Sequence, residues 1–211
     1  MMNQSDAEYI LSKEYGVSSE TLSKLIEYHN LIIRWQLRIG TTLILDSTLN
    51  NIWERHILDS AQLINHLPKS TCRILDVGSG AGFPGLMLSI MTDHEVNLVE
   101  SDKEKCSFLR TAIKKFNLSA KVHNCSIEDL PFMGTDYITA RYFNPLIKLL
   151  ELTKKQHHES VKFLVMKGKT VKTDVLNQDD WEHVQIIGIH DSRTIKEDKN
   201  QHILELHIKE I

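Results

Sequence analysis

Residues 74–85 read I-L-D-V-G-S-G-A-G-F-P-G, which places four of the chain's nine glycines within a single short stretch. The apolar run before it has the length and branching of a buried strand. The stretch after it, P-G-L-M-L-S-I-M, suits a helix, with Pro84 acceptable in the first turn because its missing N–H has no helical partner there. Glycine allows positive φ and leaves room for a ligand against the backbone. The segment therefore predicts a strand ending at Val77, a ligand-binding turn through Gly78, Gly80 and Gly82, and a helix from about Pro84.

Outward from this turn, short apolar runs alternate with amphipathic segments. R-I-L-D-V, E-V-N-L-V-E, A-K-V-H-N, Y-I-T-A-R and V-K-F-L-V-M-K read as strands. Between them lie helical patterns, one opened by S-D-K-E at 101–104, which reads as a capping box. This alternation predicts a doubly wound parallel sheet. The end breaks the rule. H-V-Q-I-I-G-I-H (183–190) and H-I-L-E-L-H-I (202–208) are β-like with no helix between them, so the last strand is expected to be antiparallel.

The first third reads as helical. Leu22, Leu25, Ile26, Ile32 and Ile33 share a stripe, with Ser18 or Ser19 as cap, and a second helix is expected from about Leu49 to Leu67, before Pro68. The resulting division is a helical N-terminal lobe over 1–70 and an α/β domain over 71–211.

A net charge of −3 argues against a generally basic nucleic-acid binder, so any such contact must come from a local basic patch. Cys72, Cys106 and Cys125 form no C-x-x-C pair and suit a reducing compartment; no metal-ligand set is read. No leader pattern and no apolar run of membrane-spanning length is seen, and a cytoplasmic protein is expected.

Glu100 ends the strand after the glycine helix, where a carboxylate can accept from both ribose hydroxyls of an adenosine. Asp76, at the end of the strand before the turn, separates two nucleoside ligands. A carboxylate there suits the ammonium of S-adenosylmethionine and would repel the pyrophosphate of a nicotinamide dinucleotide. The antiparallel ending is similar to the sheet of class I, Rossmann-like methyltransferases, which gives seven strands and would set the last between two neighbours.

The chain resembles the small-subunit ribosomal RNA methyltransferase G family, also called glucose-inhibited division protein B. The resemblance rests on D-V-G-S-G-A-G-F-P-G-L, R-H-I-L-D-S (55–60), F-L-R (108–110), A-R-Y-F (140–143) and M-K-G (166–168), and covers about 20–211. It implies methylation of guanine N7 in 16S ribosomal RNA with S-adenosylmethionine; the low positive charge adds the expectation of a ribonucleoprotein substrate, an assembling small subunit, and a monomeric protein is expected. The resemblance also implies cofactor contacts at Gly78 and Phe83, an adenine-side pair Ile127 and Glu128, Arg141 near cofactor and substrate, and Lys167 toward the target nucleotide. The chain departs from the family where G-T-T-L-I-L-D-S-T (40–48) is two residues longer than usual. Ser126 and Gln201 also stand where arginines are usual, with Arg193 as a stand-in for the second. These departures motivate the alternative, a relative that binds S-adenosylmethionine or RNA without transfer.

Other residues admit plain readings. His56 lies near an apolar stripe and reads as a satisfied buried histidine, or as a residue at the mouth of the site oriented by Asp59. Lys167, with Lys169 and Lys172, reads as a basic loop or a phosphate contact. F-N-P-L (143–146) falls where amine methyltransferases carry a related motif, but it lacks the second proline and the aromatic. Asn144 is expected to cap a helix begun by Pro145. The cysteines are read as structural.

Overall fold

The computed structural model of the chain describes residues 2–40, 42–143, 145–168, 171, 183–192 and 201–209. Strands β1 (Arg73–Val77), β2 (Glu95–Val99), β3 (Ala120–His123), β4 (Tyr137–Arg141), β5 (Lys162–Lys167), β6 (Val184–Asp191) and β7 (His202–Ile208) form one sheet in the order β3-β2-β1-β4-β5-β7-β6. The first five are parallel; β7 runs antiparallel to both β5 and β6 and lies between them. The expected antiparallel ending is therefore present. Residues of β1 and β4 are buried on both faces, as a central parallel strand requires, whereas β6 alternates half-buried and exposed as an edge strand.

Helices α1 (Gln4–Tyr15) and α2 (Ser19–Ile39) open the chain. Ser18 caps α2 by accepting from the Thr21 N–H, as expected. Helix α1, which the sequence reading did not resolve, is capped by Asn3 and ends in a left-handed Gly16. The predicted helix over 49–67 is helical but not one helix. It runs as a 3-10 stretch (Asp46–Asn51), a π turn (Trp53–Leu58), one α turn, α3 (Asp59–Ala61), and a second 3-10 stretch (Gln62–His66). Its stripe still points inward: Ile52, Trp53, Ile57 and Ala61 are buried. The π turn falls on Arg55 and His56, both of which are engaged by a side chain from β4, and tertiary contact overrides the regular period there.

After β1 come α4 (Gly85–Met91) and, after β2, α5 (Lys103–Phe116); α6 (Leu146–Leu152) follows β4. The cap of α5 is Asp102, which accepts from the Glu104 and Lys105 N–H groups, and not Ser101 as the capping-box reading has it. Asn144, the expected cap of α6, and Lys169 and Lys172 lie outside the described residues. One face of the sheet carries α1, α2, α4 and α5, and Leu11, Leu25, Tyr28 and Ile57 share a single apolar cluster with Ile74, Leu86, Phe108 and Met166. The other face buries Leu75, Val77, Ile138 and Phe163 with Leu149 of α6.

Candidate functional site

The glycine turn is anchored to the end of β2. The N–H groups of Gly78 and Ser79 both donate to the Val99 carbonyl, at 3.0 and 3.1 Å. Gly78, Gly80 and Gly82 all sit at positive φ, a region that side chains avoid. Their surroundings divide them. A Cβ on Gly78 would meet no atom within 4 Å, and one on Gly80 would meet only the Gly78 carbonyl oxygen at 3.9 Å, so both leave open space. A Cβ on Gly82 would lie 2.6 Å from the Tyr28 hydroxyl and from Leu86, and one on Gly85 would overlap Asp76. Gly78 and Gly80 can border a ligand; Gly82 and Gly85 are required by packing. Buried Tyr28 of α2 donates to the Ala81 carbonyl and so holds the turn from the N-terminal side.

Two carboxylates brace the turn. Glu100 accepts from the Gly80 N–H through Oε2 and from the Asp102 N–H through Oε1, each at 2.9 Å. Each carboxylate oxygen keeps a further lone pair for a ligand hydroxyl. Asp76 lies under the turn at 1% exposure, and its Oδ1 accepts from the Thr139 hydroxyl at 2.8 Å, its register partner on β4. Its Oδ2 faces the start of α4, where the Gly85 N–H favours the charged form without closing a well-formed hydrogen bond. Burial dominates and pushes the Asp76 carboxyl up to about 6.

At the end of β4, Arg141 donates from Nη1 to the Arg55 carbonyl at 3.2 Å and to His56 Nδ1 at 2.7 Å. A guanidinium only donates, which assigns the His56 proton to Nε2, 3.0 Å from the Thr48 hydroxyl. Thr48 in turn donates to the Leu45 carbonyl. Burial, then the charges of Arg141 and Arg55, lower the His56 pKa to about 3, so the ring is neutral. The guanidinium also lies 5.2 Å from the centre of the buried Phe83 ring, within cation–π range. Gln36 fixes the 42–48 segment above: it donates to the Ile44 carbonyl and Asp46 Oδ1 and accepts from the Ile44 N–H.

Beside the turn, the 42–48 segment, Arg55 and His56, and the ends of β4 and β5 border a cleft of about 640 Å³. Its walls include Thr42–Leu45 and Thr48, Arg55 and His56, Lys105 of α5, Arg141 and Tyr142, and Gly168 and Gln201. Its charged lining among the described residues is Arg55, Lys105 and Arg141, with no carboxylate. Tyr142, a non-glycine residue at positive φ, is partly exposed beside Arg141.

Residues 21–204 match the model of one family, described as rRNA small subunit methyltransferase G. The chain belongs to the rRNA small subunit methyltransferase G family. Two curated ribosomal RNA small subunit methyltransferases G are similar along most of their length. That of Jannaschia sp. is 40% identical over 187 residues, covering 86% of this chain and 87% of the relative. That of Bartonella tribocorum is 38% identical over 201 residues, covering 92% and 91%. The fold is similar to that of a SAM-dependent methyltransferase from Aquifex aeolicus (TM-score 0.60, 18% identity, 79% of this chain and 95% of that one). It is also similar to that of a ribosomal protein L11 methylase from Lactobacillus delbrueckii (TM-score 0.58, 13% identity, 72% and 77%). The fold is thus the class I methyltransferase sheet expected from the sequence.

Set on this member of the methyltransferase G family, the expected site residues part into two groups. Asp76, Gly78, Gly80, Phe83, Glu100 and Arg141 gather around the turn and the end of β4. Ile127 is buried and Glu128 exposed in a 3-10 turn (Ile127–Asp129) after β3, where the Ser126 hydroxyl donates to Asp129. Lys167 differs from expectation. It is 1% exposed, and its ammonium donates to the Phe143 carbonyl at 2.7 Å, tying β5 to the segment after β4 instead of presenting a charge to the cleft. Asp59 does not orient His56. Its carboxylate accepts from Gln62 and Ser192, and the Gln201 amide lies 3.2 Å from both its oxygens while accepting from the Tyr142 hydroxyl. Arg193 lies outside the described residues. The cysteine thiols are all pushed up by burial, Cys72 to about 11, which suits structural roles. Sequence reasoning missed Tyr28, Thr48, Thr139 and Lys105, whose roles depend on partners in other elements, beyond the reach of local periodicity.

Proposed function

We propose that this chain transfers the methyl group of S-adenosylmethionine to N7 of a guanine in 16S ribosomal RNA. The observation that carries the reading is the meeting of two features at Arg141. An adenosine-type turn, with open space at Gly78 and free lone pairs on Glu100, adjoins a cleft whose charged walls are all basic among the described residues.

The residues fit the cofactor. Gly78 and Gly80 leave room along the backbone, Glu100 can accept from the ribose hydroxyls, and Ile127 and Glu128 stand on the next loop for the adenine. Asp76 Oδ2, buried with no well-formed partner, supplies negative charge beneath the position assigned to the ammonium. When bound, S-adenosylmethionine supplies an electrophilic methyl group on a sulfonium.

Guanine N7 has a lone pair and no proton, so the reaction asks no general base of the protein. The site agrees: His56, the ring nearest Arg141, is neutral with both nitrogens engaged. The chain's task is to place two reactants, which supplies several kcal/mol of a barrier. Arg55, Lys105 and Arg141 can hold phosphate or the O6 edge of guanine, and the unstacked base can lie on Tyr142. Lys167 acts as a positioning residue that fixes the Phe143 carbonyl. With so local a basic surface, the substrate is a ribonucleoprotein, an assembling small subunit, met by a monomer in the cytoplasm. No helix among the described residues is long and apolar enough to cross a membrane.

The test is incubation of labelled S-adenosylmethionine with small subunits lacking the modification, followed by mapping of the label. Label at N7 of one 16S guanine is expected. Cofactor binding with no transfer to small subunits or free RNA would favour a non-catalytic relative.

A further inference from the structure

Away from the basic cleft, three side chains distant in sequence converge. His66 ends the second 3-10 stretch, His190 lies on edge strand β6, and Glu205 sits in the middle of β7. One nitrogen of each ring and one carboxylate oxygen all lie within 4.8 Å of one another. His66 Nδ1 is 3.8 Å and His190 Nε2 3.5 Å from the same oxygen, Glu205 Oε2.

Both separations are too long for good N–H···O hydrogen bonds, which cluster at about 2.9–3.0 Å. His190 Nε2 is indeed buried with no hydrogen-bond partner among the described residues. The spacing instead approaches the edge of a tetrahedral metal site, about 3.3–3.4 Å for bonds of about 2.0–2.1 Å. The backbone makes room for this arrangement. The β6–β7 register shifts at Gly188, which pairs with Glu205, and a Cβ there would come within 2.6 Å of His190 Nε2. His66 and His190 border a cleft of about 660 Å³, also lined by Tyr15, Gln62 and Asn65, through which an ion can reach them.

We propose that His66, His190 and Glu205 bind one divalent cation of the zinc class. Two imidazoles and one carboxylate favour zinc, cobalt or nickel over magnesium or calcium, which prefer all-oxygen shells. The ion fastens the helical segment at 62–66 to the last two strands. It is separate from methyl transfer, since none of its ligands lines the basic cleft.

The test uses the full chain without a histidine tag, stripped with chelator and titrated with Zn²⁺ by calorimetry and with Co²⁺ by visible absorption. One equivalent should bind, Co²⁺ should give ligand-field bands and shifted proton signals from two histidines, and Zn²⁺ should raise the melting temperature. His190→Ala, on a partly exposed edge position that should not disturb folding, and Glu205→Gln, of equal shape, should each weaken binding at least about tenfold and abolish the thermal shift. Absence of stoichiometric binding, cobalt signals from fewer than two histidines, or unchanged affinity in both variants overturns the site.

Discussion

Arg141 Nη1 stands 2.7 Å from His56 Nδ1, and the contact fixes both partners: the guanidinium is aimed across Phe83, and the imidazole is held neutral in its Nε2–H form. The donor chain runs on through Thr48 to the Leu45 carbonyl, so strand β4 and the loop over the cleft are set by one line of hydrogen bonds. Arg141→Ala removes the cation that helps to depress the His56 pKa. That pKa should rise from about 3 toward the ordinary histidine range, as followed by NMR titration. The same variant should lose both cofactor affinity and methyl transfer. A His56 titration unchanged from the parent would show that Arg141 has no part in setting its state.

Glu100→Ala leaves the Gly80 and Asp102 N–H groups without their acceptor and removes the carboxylate proposed to hold the ribose. Affinity for S-adenosylmethionine should fall by about 1.5–3 kcal/mol, the range for hydrogen bonds to a charged group. Asp76→Ala should act in the same direction, partly by releasing Thr139 and the turn. Calorimetry giving parental affinity for both variants would remove these carboxylates from the cofactor site.

Asp59 offers a pH test. Its carboxyl is pushed up from the usual carboxylate range to about 6, chiefly by burial. A raised folded-state pKa means the folded protein holds the proton more tightly. The associated stability is fully present below about pH 4 and is lost as pH rises through 6, on the order of 2–3 kcal/mol in all. Asp59→Asn removes this contribution. In urea unfolding, its stability relative to the parent should increase between pH 4 and pH 8; a constant difference across that range would refute the assignment.

Lys167 and Lys105 separate structure from RNA contact. Lys167→Ala strands the Phe143 carbonyl and opens a cavity, so it should cost about 2–4 kcal/mol of stability, while the salt dependence of subunit binding stays as in the parent. Lys105→Ala, on the cleft wall, should leave the melting curve alone and reduce the salt slope by about 1. The reverse pattern would put the substrate on the other side of the site.

The sheet was legible because its strands are continuous apolar runs separated by helical segments, and the glycine turn because only glycine readily tolerates the positive φ at 78, 80 and 82. The carboxylate of Glu100 could be placed against the turn by its position at the end of the next strand. What the sequence concealed was direction. Lys167 at a strand end reads as a cleft residue until its ammonium is seen to donate inward to a carbonyl of the neighbouring segment. Gly82 reads as a ligand glycine, although its missing side chain is needed by Tyr28 and Leu86. The 49–67 stripe predicted the buried face of its segment correctly but not its π turn, which depends on Arg141, far along the chain on β4.

The hydroxyl of Tyr28 on the Ala81 carbonyl has a bearing on how this protein can be taken apart. Phe83, Leu86 and Phe108 are covered by the same apolar cluster that includes Tyr28, Leu25 and Ile57. A shortened gene beginning at the first strand would expose these side chains and release the loop they support. Swapping the leading helices between relatives therefore demands matched changes along the turn.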